Sequence, residues 1–150
     1  DDGALGLMIN QPLDIHLGEI LEQLDLPGGE LDLPVFSGGP VQPERGFVLH
    51  PPGTSWQNTA KVTDDVLLTT SRDVLAGIGR GEGPDEYLVA LGYSGWSEGQ
   101  LEEELGSNAW LTCPANTDIL FRTPWEERYK AVLQLIGIDL NQLSESVGHA

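Results

Sequence analysis

Cysteine is almost absent from this chain, in which Cys113 is the only one. A single cysteine excludes an internal disulfide and any metal site built from several thiolates, and it fits a reducing compartment. The chain also has no apolar run near the roughly 20 residues that span a bilayer, and no signal-peptide pattern at its start. We therefore expect a cytoplasmic protein that has no membrane as a partner.

Basic residues are scarce as well. Seven Lys and Arg stand against 24 Asp and Glu, which gives a formal net charge of −17. Because phosphate groups are bound mainly through Lys and Arg, this charge disfavours DNA, RNA and anionic lipid surfaces as partners. The simplest role of such a charge is to keep the protein in solution.

The patterns that hold metals or cofactors are missing too. The chain has three His and contains no His-x-x-x-His, Cys-x-x-Cys or calcium-loop pattern. Carboxylates cluster at Asp64 and Asp65 and at Glu102, Glu103 and Glu104, but consecutive residues on a helix point to different sides. We interpret the acidic run as a solvated helix face, and we predict no metal and no cofactor.

The residues that are present suffice for one domain, 1–150, with a sizeable core. The 19 glycines and 10 prolines lie between apolar runs, as turn residues do. Periodicity and capping patterns predict strands at 4–9, 33–36, 46–50, 66–70, 87–91, 110–113 and 118–121. They predict helices at 15–24, 71–78, after a Ser97–Gln100 capping box, from Thr123 to 136, and at 140–147. The apolar run 87–91 predicts a central strand covered on both faces, and the irregular alternation favours a mixed sheet.

The segment from Leu91 to Trp96 is the most informative, because a strand there enters a tight glycine turn that presents a Trp. A nucleophile elbow would place glycines two residues either side of its Ser. Around Ser94 the second glycine falls one residue early, so we interpret Ser94 as a turn residue. Trp96 is a candidate binding anchor, since aromatic residues dominate interface energetics, and a core-packed Trp is the open alternative.

Two further polar residues flank the strand that follows Ser37-Gly-Gly-Pro40. Arg45, one of few cations, could orient a ligand, and an intramolecular salt bridge is the alternative. His50 at the other end of this strand is a candidate base. Cys113 lies among apolar neighbours and is interpreted as an inert core thiol.

Six motifs occur here in a fixed order, and together they identify a resemblance. They are Gly6-Leu-Met-Ile-Asn-Gln-Pro12, Ser37-Gly-Gly-Pro-Val41, Arg45-Gly-Phe-Val-Leu-His50, Leu91-Gly-Tyr-Ser-Gly-Trp96, Gly99-Gln-Leu-Glu-Glu103 and Asn108-Ala-Trp-Leu111. The chain resembles the AlgH/YqgE family of bacterial proteins over essentially its whole length. The resemblance implies an α+β fold, in which a mixed, bifurcated β-sheet curls into a pseudo-barrel with flanking helices. It also implies a further N-terminal segment before Asp1, so that this chain would be truncated there.

The resemblance implies no established biochemical activity, although some relatives carry the label of transcriptional regulator. We expect a regulatory or adaptor protein that binds another protein, with an exposed apolar patch next to Trp96. Its candidate binding residues are Gly38, Gly39, Pro40, Arg45, His50, Trp96 and Gln100. The alternative is an enzyme, such as a hydrolase, with His50 in a pocket beside a hydroxyl or carboxylate. A DNA-binding regulator would need a basic stripe, which the helix from Pro124 lacks.

Overall fold

A computed structural model describes residues 3–53 and 55–138, which form seven strands and five helices. The strands are β1 (Ala4–Gly6), β2 (Pro12–His16), β3 (Pro34–Ser37), β4 (Val41–His50), β5 (Thr59–Thr63), β6 (Val66–Thr69) and β7 (Leu88–Trp96). The helices are α1 (Leu17–Gln23), α2 (Arg72–Gly79), α3 (Gln100–Gly106), α4 (Thr117–Phe121) and α5 (Trp125–Leu135). None of the helices in these described ranges is both long and apolar enough to cross a membrane.

All seven described strands belong to one mixed sheet, in which six follow the order β2-β3-β7-β4-β6-β5 and β1 pairs with β7 beside this path. β3 runs parallel to β7, and the other pairs are antiparallel. The sheet forks at β7, because its first half pairs with β3 and its second half pairs with β1. The predicted α+β class and the mixed, bifurcated sheet are therefore confirmed. Among the described strands the sheet stays open, since β2 and β5 at its ends do not pair, and it is not closed into a barrel.

Helices cover both faces of the sheet, because neighbouring residues of the central strands point to opposite sides. Val89 packs with Val35 and Val48 against α1 and α2. Leu88 and Ala90 pack on the other face, in a cluster that α4 and α5 adjoin. The predicted central strand at 87–91 is confirmed by this two-sided burial.

Several predicted elements differ in the structure. Residues 118–121 were expected to form a strand but lie in α4, where the Asn116 side chain accepts a hydrogen bond from the Ile119 amide and caps the helix. Residues 110–113 form no strand, and Cys113 is half-buried in this irregular segment. The helix expected after Ser97 begins only at Gln100, with Gly99 as its N-cap. The predicted helix at 140–147 lies outside the described residues.

Candidate functional site

Two glycine corners from distant parts of the chain pack against each other at the fork of the sheet. The Gly38 amide donates to the carbonyl of Leu91 at 2.8 Å, and the Gly38 carbonyl accepts from the Met8 amide at 2.9 Å. A Cβ on Gly39 would lie 2.2 Å from the carbonyl carbon of Tyr93. Gly92 has a φ of +77°, and a Cβ there would lie 2.5 Å from the Gly39 carbonyl oxygen. Only glycines allow the two backbones to approach this closely.

The Ser94 hydroxyl belongs to the same corner and donates to the Gly38 carbonyl at 3.3 Å. Its role here is to tie β7 to the turn before β4, as expected for a turn residue. Pro40 is exposed beside this corner, immediately before β4 begins. The structure therefore brings Gly38, Gly39 and Pro40 close to the strand that carries Trp96.

An aromatic wall continues from the glycine corner. The ring of Trp96 meets that of Trp110 edge to face, with centroids 5.8 Å apart. Both indole N–H groups donate to one carboxylate oxygen of Glu104, at 3.2 Å from Trp96 and 2.8 Å from Trp110. The Gln100 side chain donates to the other oxygen at 3.1 Å and accepts from the Ser97 amide at 3.0 Å. Glu104 thus fixes the orientation of both Trp rings.

Hydrogen bonding lowers the pKa of the Glu104 carboxyl below its ordinary value of 4.5. The largest contribution is the bond from Trp110, which is opposed by desolvation and reinforced by the bonds from Trp96 and Gln100. Donors that approach a carboxylate stabilise its charged form. The wall is therefore held together by an ionised carboxylate at neutral pH.

This wall borders an open cleft of about 370 Å³, which we call the aromatic cleft. Its other sides are the segment after β1 and the first turns of α5. The residues that shape it are Leu7, Met8, Trp96, Trp110, Arg128 and Tyr129. Met8, Trp110 and Tyr129 are 39%, 48% and 53% exposed, so large apolar groups face solvent here.

Arg128 lies at the aromatic cleft and is 9% exposed, and among the described residues it is the only buried Lys, Arg, Asp or Glu. Its Nη1 donates to the Ile9 carbonyl, and its guanidinium stacks 4.8 Å from the centroid of the Phe36 ring. Its Nε is buried and has no hydrogen-bond partner in the described structure. Burial lowers the pKa of Arg128, because desolvation disfavours its charged form.

His50 lies at the opposite end of β4, away from the aromatic cleft. It is 1% exposed and lines a separate cavity of about 250 Å³ together with Asp85 and Glu86. Its Nδ1 lies 2.9 Å from the Pro51 carbonyl, which can only accept, so the proton is assigned to Nδ1. Its Nε2 then accepts from the Thr69 hydroxyl at 2.7 Å. Both ring nitrogens are thus engaged within the protein.

Arg45 lines neither the aromatic cleft nor the cavity beside His50. It is exposed on β4, and its guanidinium lies 5.4 Å from the centroid of the Phe47 ring. No ion pair with a described carboxylate holds it. The described residues also include no cluster of His, Cys, Asp and Glu that could hold a metal ion.

Most residues at the aromatic cleft and its wall are absent from the set that the sequence proposed, among them Glu104, Trp110 and Arg128. Glu104 was assigned to a solvated face, but its position four residues after Gln100 on α3 places it between the two Trp rings. Trp110 could have been found from the sequence, because it belongs to the motif Asn108-Ala-Trp-Leu111. Arg128 meets Ile9 only in three dimensions, and no local pattern marks it.

Together, the open mixed sheet, the helices on both faces and the forked central strand define a class of α+β protein with a surface cleft at the fork. The chain belongs to the AlgH-like family, whose model matches residues 1–141. It is 53% identical over 150 residues to a UPF0301 protein of Hahella chejuensis, covering all of this chain and 81% of the relative. A UPF0301 protein of Nitrosospira multiformis is 52% identical over 153 residues and is covered to 82%.

Solved structures agree with this assignment. The solution structure of the AlgH protein from Pseudomonas aeruginosa superposes with a TM-score of 0.80 at 48% identity, over 95% of this chain and 77% of that one. A crystal structure of a protein from Corynebacterium diphtheriae matches with a TM-score of 0.69 at 12% identity, over 88% of this chain and 70% of that one. The second likeness shows the fold alone.

Proposed function

We propose that this protein is a regulatory or adaptor protein that acts by binding another protein through the surface of the aromatic cleft. The observation that carries the proposal is the apolar exposure beside Trp96, where Met8, Trp110 and Tyr129 all face solvent. Large exposed apolar patches on monomers mark interaction sites. Trp and Tyr are also the residues most enriched among those that dominate binding energy.

The geometry of the wall supports the same function. Glu104 holds both Trp rings, so their binding conformation exists before a partner arrives. A preorganised side chain loses less rotamer freedom on association, which leaves more of the contact energy for affinity. The high negative charge of the chain favours a protein over a nucleic acid as the partner. The single cysteine fits a protein that acts in the cytoplasm.

Co-purification of the tagged protein from cells that make it tests the proposal, with nuclease treatment and mass spectrometry. Trp110→Ala is the test variant, because this Trp is exposed and its loss leaves the core intact. Val62→Ser is the matched control, since Val62 is 55% exposed on β5, outside the cleft. We expect a near-stoichiometric partner that Trp110→Ala loses and Val62→Ser retains.

Reconstitution with the purified partner makes the test quantitative. Truncating a Trp at the centre of an interface costs about 2 kcal/mol, which corresponds to roughly 30-fold in Kd by titration calorimetry. Equal Kd values for Trp110→Ala and Val62→Ser would contradict a binding role for the cleft.

An enzyme with His50 as base is the second candidate, and the cavity of about 250 Å³ beside His50 is what favours it. The required hydroxyl is present, since the Thr69 hydroxyl lies within hydrogen-bond reach of Nε2. A hydroxyl that a base activates must, however, reach the substrate. Because Thr69 is fully buried and His50 is 1% exposed, the geometry favours a structural role for this pair.

A further inference from the structure

Arg128 is the starting point, because it is a buried cation for which the described residues supply no anion. It is nine-tenths buried, yet it forms no ion pair with any described carboxylate. Its Nε has no hydrogen-bond partner, and only Nη1 is bonded, to the Ile9 carbonyl. Buried charges in proteins are normally paired, and an orphaned buried donor calls for an explanation.

One edge of the guanidinium has no described hydrogen-bond partner. With Nη1 bonded to Ile9, the edge formed by Nε and Nη2 remains without a described partner. Two parallel N–H groups on one edge match the two oxygens of a carboxylate. Phe36 supports the guanidinium from one face, which fixes the plane in which such a fork would form.

The surroundings specify the remainder of the ligand. The aromatic cleft that Arg128 lines has a volume of about 370 Å³, at the lower end of the range for small-molecule pockets. Its walls are apolar and aromatic, with Met8, Trp96 and Trp110 next to one cation. A site of this kind selects a molecule with one negative group and an apolar body.

We propose that the aromatic cleft is a binding site for an apolar carboxylate, whose acid group pairs with Arg128 and whose hydrocarbon or aromatic part lies against Trp96 and Trp110. This goes beyond the proposed function, because a free organic acid fills the site without any protein partner. The same chemistry is presented by an acidic side chain between two large apolar residues of a peptide. The negative charge of this chain weakens long-range attraction of any anion, so the recognition is local.

The direct test is a titration of the full chain with 3-phenylpropionate, followed by nitrogen–proton NMR of the indole N–H groups. Its neutral isostere, 3-phenylpropionamide, is the matched control ligand. We expect Kd on the order of 1 mM for the acid, given its size, with shifts at Trp96 and Trp110. The amide is expected to bind at least about tenfold more weakly, because it forms no ion pair with Arg128.

Variants of Arg128 test whether this residue recognises the carboxylate. Arg128→Met keeps the length and apolar stem of the side chain, and Arg128→Lys keeps the charge without the fork. We expect both to weaken binding of the acid by about tenfold or more and to leave amide binding unchanged. Arg80→Met is the matched control, since Arg80 is exposed at the end of α2 and outside the aromatic cleft, and it is expected to bind as the wild type does.

The wild-type comparison keeps the proposal open to refutation even where an Arg128 variant fails to fold. Equal binding of the acid and the amide to the wild type would overturn it. The proposal would also be overturned if the indole N–H signals did not shift at a ligand concentration roughly tenfold above the expected Kd, with either 3-phenylpropionate or the aspartyl peptide. Neither result would affect the partner-binding function, which is judged by Trp110→Ala.

A second arm distinguishes a free acid from a peptide as the source of the carboxylate. The probe is a blocked tripeptide, leucyl-aspartyl-phenylalanine, with leucyl-asparaginyl-phenylalanine as its control. Tighter binding of the aspartyl peptide than of 3-phenylpropionate, lost in Arg128→Met, identifies a peptide ligand. Tighter binding of 3-phenylpropionate identifies a small organic acid.

Discussion

Removal of the Thr69 hydroxyl in Thr69→Val tests whether His50 is a structural residue. Thr69 is fully buried, and its hydroxyl is the group within hydrogen-bond distance of His50 Nε2, at 2.7 Å. Valine has nearly the same shape, so the change removes the hydrogen bond without opening a cavity. His50 itself is 1% exposed, so its Nε2 has little access to water as a replacement partner.

Thr69→Val should lower the free energy of unfolding by about 1–3 kcal/mol, because it leaves the buried Nε2 atom of His50 without a hydrogen-bond partner. For a chain of 150 residues, 2 kcal/mol corresponds to a fall in Tm of roughly 4–8 °C. Urea unfolding at neutral pH, followed by Trp fluorescence, measures the free energy of unfolding. Thr59→Val is the control, because Thr59 is exposed although its hydroxyl lies 2.9 Å from that of Thr69. We expect that variant to stay within about 0.5 kcal/mol of the wild type.

The double variant sharpens this test. His50→Leu combined with Thr69→Val removes both groups of the Nε2–hydroxyl hydrogen bond, so neither is left buried without the other, and it should cost less than the sum of the two single changes. A Thr69→Val protein within about 0.5 kcal/mol of the wild type would refute the reasoning. The His50–Thr69 hydrogen bond would then contribute little to stability, and the enzyme alternative with His50 as base would be favoured over a structural role.

Two further predictions concern the glycine corner and Glu104. Gly39→Ala should destabilise the protein by about 3 kcal/mol in urea unfolding, because its Cβ would overlap Tyr93. Gly106→Ala is the control and should be neutral or slightly stabilising, because the space around Gly106 is open. Equal effects of the two changes would contradict the close packing of the glycine corner. The pKa of Glu104 is lower in the folded protein than its ordinary 4.5, so its stabilisation is present above pH 4.5 and is lost as the pH falls through the folded value. Glu104→Gln should therefore make stability less dependent on pH in this acidic range, and parallel curves for the two proteins between neutral pH and acid would count against the Trp network.

The fold could be predicted where burial leaves a periodic signal in the chain. Residues 87–91 are apolar without interruption because β7 is covered on both faces. β5 left no such signal, since Thr59–Thr63 is an almost wholly exposed edge strand and has no buried face to produce alternation. The run 118–121 is too short for periodicity to separate a strand from a helix, and Asn116 decides the outcome as a cap.

The candidate site could be predicted only in part, for a related reason. Glycine turns and Trp residues are local signals, so the glycine corner and Trp96 were found. The role of Glu104 depends on its facing two indoles from one turn of α3, which a run of three Glu residues does not reveal. Arg128 and Ile9 are 119 residues apart in sequence, and only the packing of α5 beside the segment that follows β1 brings them together.

The residues proposed from the sequence do not form one site, because Gly38, Gly39 and Pro40 precede β4, Arg45 lies within it and His50 ends it. Val41 pairs with Tyr93 at the glycine corner, and His50 pairs with Leu67 at the other end. A bulge between Val41 and Gly46 shortens β4, so its two ends lie about 20 Å apart at roughly 3.3 Å per residue of the partner strand β7. A buried His50 at that distance cannot contact a ligand held at the aromatic cleft. Under the proposed function, binding at the cleft rests on Trp96 and Trp110, whose rings Glu104 and Gln100 hold, and His50 contributes only to the stability of the sheet.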